Sequence, residues 1–254
     1  PGRGCKAQRE EDFTAAGVSP IEFVRYYDSQ NPYHYLTGKQ RPFGNRWRHN
    51  YEVRLNAAQD TNLVVLMLEN GNIEHFRPKP GSTTEWVGDA DSVGRLTKGT
   101  SNWTYRSGDD SVYVFDADGK VSSKTLRDGR SVTFTHDTAG RLTGVADNFG
   151  RTLLLGYNTQ GLLSSLTDPS SQTTTYAYDA NKNLISVTYP DTRVRTYAYT
   201  SVTVGTKAEP GLLVGITDEN GQPCASWSYD ASALAVSSAH AGGVDHHALA
   251  YTKD

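Results

Sequence analysis

Residues 115–150 read FDADGKVSSKTLRDGRSVTFTHDTAGRLTGVADNFG, and in this stretch Phe115 and His136 are each followed by Asp, a small residue and Gly. Two explanations compete. The carboxylates of Asp116 and Asp137 either form the turns of a repeated fold or are gathered for catalysis or metal binding. Aligning the chain with itself favours the first. Phe115, His136, Tyr157, Tyr178 and Tyr199 recur every 21 residues. Two positions earlier, Tyr113, Phe134, Leu155, Tyr176 and Tyr197 keep the same register, and Val121, Leu142, Leu163 and Leu184 make a third column. A period held in three columns marks stacked supersecondary units.

A unit this short holds two strands and two turns. In QTTTYAYD (residues 172–179), Tyr176 and Tyr178 alternate with Thr175 and Ala177, the period of a strand with one covered face. The DADG, DTAG, NTQG and DANK segments between the columns supply the side-chain hydrogen bonds and positive φ of tight turns. The second strand, as in NLISVTYP, is less regular. Leu184 and Val187 would face opposite ways in an ideal strand, which requires either a bulge or burial of both faces. After Tyr199 the next paired aromatics are Trp227 and Tyr229, so the period breaks, and TSVTVGTKAEPG is expected to be an enlarged loop. Leu249 with Tyr251 renews the column. The Ala-rich residues 231–243 read as a decayed repeat, with a short helix as the alternative.

Residues 1–112 lack the period but are also strand-rich. VVLMLENGNIEHF centres on Asn70-Gly71 and NWTYRSGDDSVYVF on Gly108-Asp109, both hairpin signals. The expected organisation is an all-β chain with an opening, capping region over residues 1–112 and a hairpin array over residues 113–254.

Bulk composition agrees. The 254 residues suffice for a sizeable core, and 24 Gly, 10 Pro and 15 Tyr against one Met favour strands and turns over helix. A formal charge of -3 gives no electrostatic reason to expect nucleic acid or an anionic membrane as partner. Cys5 and Cys224 fall short of a disulfide framework and are expected to be free thiols. The longest apolar run, residues 63–68, is strand-length and too short to span a bilayer as a helix. The chain opens PGRGCKAQRE, without an initiator Met or an apolar signal segment, as a piece of a longer polypeptide would.

No catalytic constellation emerges. DADG faintly resembles part of a calcium loop, but the further ligands, terminal Glu and flanking helices of an EF-hand are missing, so the Asp residues read as turn formers. The aromatic columns read as cross-strand packing and not as a ladder for sugar rings. His136 occupies a Tyr position and reads as a member of that ladder, not a base. His246 and His247 face opposite ways if they lie on a strand and have no partner ligands at metal spacing. HExxH, GxSxG and phosphate-binding Gly loops are absent. The sequence therefore assigns no catalytic, cofactor-binding or metal residues. The residues it singles out define the repeat: the three columns above together with Trp227 and Tyr229.

The pattern Tyr-Asp-x-x-Gly-x-Leu with a later Asp-Gly turn resembles the YD repeat of the Rhs family and of the related teneurin and insecticidal toxin-complex proteins. The front end is similar to the segment that opens an Rhs core: QREEDFTAAGVSPIEFVRYYDS at residues 8–29 and FGNRWRHNYEVRL at residues 43–55. The resemblance covers residues 8–251. It implies a spiral of β-hairpins that forms part of a hollow cocoon around a C-terminal toxin. It further implies a secreted product, cytoplasmic before delivery by a contact-dependent or type VI secretion apparatus, and an apparatus partner upstream. The remaining YD repeats and the toxin of the same parent protein are the implied partners. Under this resemblance RPFGNRWRH, with Arg41, Arg46, Trp47, Arg48 and His49, is a structural opening element and not a nucleic-acid patch. The sequence departs from the full pattern in three ways. It has too few repeats to close a cocoon, no toxin-cleavage segment and no toxin domain. A non-enzymatic shell segment is the expected function; a surface adhesion or carbohydrate-binding module using Trp86, Trp103 or Trp227 is the alternative. With only Lys253 and Asp254 guarding the last hairpin around Trp227, Tyr229 and Leu249, the isolated chain is expected to self-associate through that edge.

Overall fold

Thr, Val and Tyr in alternation, punctuated by Asp, Asn and Gly, leave the chain little choice but extended backbone. The computed structural model describes residues 4–17, 21–30, 41–57 and 62–251. Residues 18–20 of the opening motif and the guarding Lys253 and Asp254 lie outside them.

The opening region contributes β1 (Ala7–Thr14), β2 (Glu22–Asp28) and β3 (Trp47–His49), which form a three-stranded sheet of their own. A hairpin series follows: β4 (Arg54–Asn56), β5 (Val64–Met67), β6 (Ile73–Pro78), β7 (Glu85–Gly88), β8 (Arg95–Lys98) and β9 (Asn102–Arg106). The periodic part supplies β10 (Val112–Asp116), β11 (Val121–Thr125), β12 (Ser131–His136), β13 (Leu142–Asp147), β14 (Thr152–Tyr157), β15 (Leu163–Thr167), β16 (Thr173–Tyr178) and β17 (Leu184–Thr188). Last come β18 (Val194–Val204), β19 (Lys207–Thr217), β20 (Pro223–Tyr229), β21 (Ala235–His240) and β22 (His247–Ala248). A 3-10 turn at Ala241–Gly243 is the only helical element among the described residues. The all-β expectation is met.

The chain divides into two compact units. One comprises Phe13–Phe23 and His49–Leu155. Within it each strand from β4 to β14 pairs antiparallel with its chain neighbour. Its core includes Phe23, Leu55, Leu66, Phe76, Phe115 and Leu153, and the Tyr51 ring meets the Phe134 ring edge-on at 5.9 Å. The other unit comprises Pro1–Asp12, Val24–Arg48 and Gly156–Asp254. There the strands from β15 to β22 pair in the same way. Opening-region rings close over repeat rings: Phe43 lies 5.0 Å from Tyr176, and Trp47 lies 5.3 Å from Tyr197.

The choice between a bulge and two-sided burial is resolved in favour of the bulge. Tyr178 faces Leu184 and Ala177 faces Ser186, so Ile185 is the extra residue and Leu184 and Val187 come to the same buried face. The same slip leaves Ser122, Thr143, Val214 and Val236 unpaired in other repeats. Where that residue is Ser122 or Thr143, its hydroxyl donates across the bulge, to Val114 O at 3.0 Å or to Thr135 O at 3.2 Å.

One local expectation needs correction. TSVTVGTKAEPG is not a loop. β18 and β19 lengthen to 11 residues each and pair out to Val204 and Lys207 around Gly205. Val202, Thr203 and Val204 favour extended backbone, and Gly205 takes the positive φ of the turn. Arg46 holds the base of this ribbon, donating from Nε to Pro210 O at 2.7 Å and pairing with Glu209 at 2.8 Å. In residues 231–243 it is the decayed-repeat reading that agrees with the structure: Ala235–His240 pairs with β20 as an Ala- and Ser-rich strand, followed by the 3-10 turn at Ala241–Gly243.

Candidate functional site

The repeat itself is the constructed site, and its carboxylates are turn caps. Asp116 Oδ1 accepts from the amides of Asp118 (3.0 Å) and Lys120 (2.9 Å), and Asp137 Oδ1 accepts from Ala139 (3.0 Å) and Arg141 (2.9 Å). Asn158 and Asp230 bind the second and fourth following amides in the same way. The alternate turns, at Asp147, Asp168 and Asp218, do so too. These bonds, the Arg141 amide first among them, hold the Asp137 carboxyl below its ordinary range. Each group is spent on its own turn.

The Tyr column does more than pack. Tyr178 Oη donates to Leu163 O (2.7 Å), Tyr199 to Leu184 O (2.7 Å), Tyr229 to Leu213 O (2.9 Å) and Tyr251 to Ala235 O (2.6 Å). Each hydroxyl therefore reaches back 15 or 16 residues to the backbone of the preceding repeat. The amides of three of these acceptor residues turn to the opening region: Leu163 N to Pro42 O (2.7 Å), Leu213 N to Tyr27 Oη (2.8 Å) and Ala235 N to Gly4 O (2.9 Å). A backbone group that lost its ladder partner at the bulge thus regains one from a side chain or the opening segment. Sequence reasoning read the column as rings alone. The signal for the hydroxyl was the preference for Tyr over Phe in the later repeats.

Tyr199 is a junction, since its oxygen also accepts from Trp47 Nε1 at 2.8 Å. Tyr199→Phe is expected to leave the buried indole N–H and the Leu184 carbonyl without this partner, at a cost of about 2 kcal/mol. Urea unfolding of the two proteins measures it.

Beneath Tyr176 and Tyr197 lies a group that the sequence did not mark. Arg25 is fully buried and bound to Asp12, Nε to Oδ2 at 2.6 Å and Nη2 to Oδ1 at 2.8 Å. Its guanidinium stands 5.1 Å from the Trp47 ring centroid, 5.8 Å from that of Tyr176 and 5.6 Å from that of Tyr197. Arg25 and Asp12 sit in a non-periodic region, so no column could reveal them.

The remaining candidates fall out as structure. Tyr113, Phe115, Val121, Phe134, Leu142, Leu155, Leu163, Tyr176, Leu184 and Tyr197 are buried, whereas His136, Tyr157, Tyr178, Tyr199, Trp227 and Tyr229 are half-buried. Arg46, Trp47, Arg48 and His49 are buried and present no basic face. Trp103 is buried, with the half-buried Trp86 ring edge-on to it at 5.3 Å, and the half-buried Trp227 ring carries Lys6 Nζ at 4.0 Å. Burial lowers the Lys6 pKa to about 8. His246 and His247 are exposed. Cys5 and Cys224 are free thiols. No helix among the described residues is long and apolar enough to cross a membrane.

His136 is the exception within its column, because an imidazole replaces the phenol. Burial, then Lys120 and Arg54, push its pKa below 6.5, against the opposing pull of Asp116 and Asp137. The folded state therefore favours neutral His136, and its stability contribution is complete above the unfolded value of about 6.5. As pH falls below that, the unfolded chain takes up a proton that the fold resists, and stability drops until the folded pKa is passed. Urea midpoints at neutral and mildly acidic pH should lie closer together in His136→Tyr than in the parent chain, the variant losing this part of the acid sensitivity.

Comparison with known proteins gives two family matches. A model described as a domain of unknown function, DUF6531, matches residues 1–76, and the RHS Repeat model matches residues 115–152 and 157–194. No curated protein matches the chain. Among solved structures, the crystal structure of TcdB2-TccC3-TEV is similar with a TM-score of 0.43 and 14% identity, over 91% of this chain and 15% of that one. The Photorhabdus luminescens Tc holotoxin pore has a TM-score of 0.37 and 13% identity, over 91% and 16%. TcdB2-TccC3 has a TM-score of 0.38 and 15% identity, over 92% and 12%. The chain thus spans only a small fraction of the length of these structures.

Proposed function

We propose, since the chain carries RHS repeats behind a DUF6531 segment and so belongs to the Rhs/YD-repeat family, that it is a length of wall in a toxin shell. In this reading it joins further YD repeats of the parent protein to enclose and carry a C-terminal toxin. Its role is architectural and not enzymatic. Members of the family are typically secreted; this one would be held in the cytoplasm as a precursor and then delivered by a secretion apparatus.

One observation supports the reading above the rest. In the later repeats a Tyr hydroxyl closes the backbone of the repeat before it: Tyr178 to Leu163, Tyr199 to Leu184, Tyr229 to Leu213 and Tyr251 to Ala235. A unit that seals its predecessor and leaves the same group for its successor can be extended without redesign, as an enclosing wall requires. The turn carboxylates Asp137 and Asp147 are engaged by the amides of their own turns, which fits an architectural role.

The test is protection. Residues 158–178, one complete period, are deleted from the parent polypeptide, and digestion of the toxin part by added protease is compared with the intact protein. The wall reading expects the toxin part to become digestible. Unchanged protection would overturn it.

A further inference from the structure

His136 is the one member of its column that titrates near neutral pH, and the register of the repeats fixes what it faces. Ser123 lies opposite Thr133 as Ser165 lies opposite Thr175, so β11 and β12 reproduce the pairing of β15 and β16. His136 likewise faces Leu142 as Tyr178 faces Leu184. In the later repeat Tyr178 reaches Leu163. His136 therefore stands over Val121, next to Gly119 and Lys120 of the first repeat turn.

That turn is where β4 is fastened, all within the unit of Phe13–Phe23 and His49–Leu155. Leu55 N donates to Gly119 O at 3.0 Å, and Arg54 bridges to Lys120. Leu55 is fully buried, so this bond is closed to water while β4 stays in place. The fastening also brings a second cation to the turn. Arg54 Nε is buried and has no hydrogen-bond partner among the described residues. Burial works against the Arg54 charge, with Asp116 and Asp118 favouring it.

The charged groups around His136 come from three elements. The first repeat turn contributes Lys120, whose Nζ lies 3.3 Å from Asp116 and 3.5 Å from Asp118. β4 contributes Arg54. The turn that follows His136 contributes Asp137, paired with Arg141 at 2.7 Å. Lys120, Arg54 and Arg141 balance Asp116, Asp118 and Asp137, so a neutral imidazole leaves the group without net charge. An imidazolium adds an unmatched positive charge, half-buried near Lys120 and Arg54. Lifting β4 takes Arg54 away and admits water, which relieves both penalties.

We propose that protonation of His136 releases β4 from the first repeat turn, so that mild acid unclasps the opening region there while the hairpin array stays folded. The device does not depend on the chain enclosing a toxin. Its direction follows from linkage. Burial, then Lys120 and Arg54, hold the clasped imidazole below 6.5, whereas the unclasped one titrates at about 6.5. The clasp is at full strength above that value. It weakens as pH falls further, until the clasped imidazole also takes up its proton.

The experiment is amide hydrogen exchange on the full chain at about pH 7.5 and about pH 5, each rate divided by that of an unstructured peptide at the same pH. The Leu55 amide reports the clasp. Its protection is expected to fall by about fivefold or more on acidification, with a ceiling of ~30-fold set by an unclasped imidazole that titrates at about 6.5. The Leu68 and Asp147 amides, bound to Asn72 O at 2.9 Å and Arg151 O at 3.0 Å in other turns of the same unit, should change by less than about twofold. His136→Tyr restores the residue that later repeats carry, and His136→Gln removes the charge without adding a phenol. Both should hold Leu55 protection within about twofold across the two pH values. Unchanged Leu55 protection in the parent chain, an equal fall at Leu68 and Asp147, or the parent's fall in either variant would each overturn the proposal.

Discussion

Replacing Asp12 by Ala is expected to lower unfolding stability by about 3–5 kcal/mol, a large share of the ~5–15 kcal/mol available to a typical domain. The loss comes from stranding Arg25, not from the contact alone. Both side chains have no exposed surface, so the guanidinium cannot turn to water when its carboxylate is removed. Nor can it shed its charge, because an Arg stays protonated under all ordinary conditions. In the folded protein burial opposes the charge, yet Asp12 wins and lifts the Arg25 pKa well above its ordinary value. Asp12 also accepts from Tyr176 Oη at 2.7 Å, so the variant leaves a second buried donor without that acceptor. Arg25 Nη1 already has no partner among the described residues, and further orphaned donors compound the cost. The Trp47 ring beside Arg25 makes fluorescence a local reporter during urea unfolding. A double replacement, Asp12→Leu with Arg25→Met, removes both charges and should be more stable than Asp12→Ala. A loss below about 1 kcal/mol in Asp12→Ala would show that the buried charge is relieved in some other way.

That pair marks the boundary of what was legible in the sequence. Repetition makes a column visible, so the turn carboxylates and the aromatic positions could be found without coordinates. Chemistry within a column is harder to read. Tyr178 and Tyr199 fill the slot of Phe115 and His136, and the mixture suggested packing when the hydroxyls bind backbone. The bulge at Ile185 was open because Leu184 and Val187 fit two physical solutions, and only register separates them. The β18–β19 ribbon is hidden in the sequence because a lost period looks like lost structure. Its strand-forming Val202, Thr203 and Val204 were present, but they serve an extension that no other repeat shares. Arg25 and Tyr197 touch across 172 residues, from a segment with no period at all. Such a contact has no local signature.

Gly119→Ala is expected to cost about 3–4 kcal/mol, because two separate penalties fall on one atom. The first is conformational. Gly119 closes the DADG turn at φ 78°, a left-handed backbone that costs an L-residue about 1–2 kcal/mol. Every repeat turn carries that penalty, so it cannot distinguish them. The second is steric and specific to this turn. A Cβ at Gly119 would overlap the Leu55 carbonyl oxygen and stand 2.8 Å from the Leu55 carbonyl carbon. Those are backbone atoms, held by the Leu55 N to Gly119 O bond at 3.0 Å and by the Arg54–Lys120 bridge, so no side chain can swing aside. Relief requires β4 to lift from the first repeat turn, which gives up that bond and part of the burial of Leu55. Gly129 supplies the control. Its φ is 85°, and a Cβ there would meet nothing within 4 Å, so Gly129→Ala bears the conformational penalty alone, about 1–2 kcal/mol. Urea midpoints of the two variants separate the terms: their difference is the cost of prising the opening region from the array. Equal destabilisation would mean that β4 yields at no cost and that the repeat turn does not depend on being clasped.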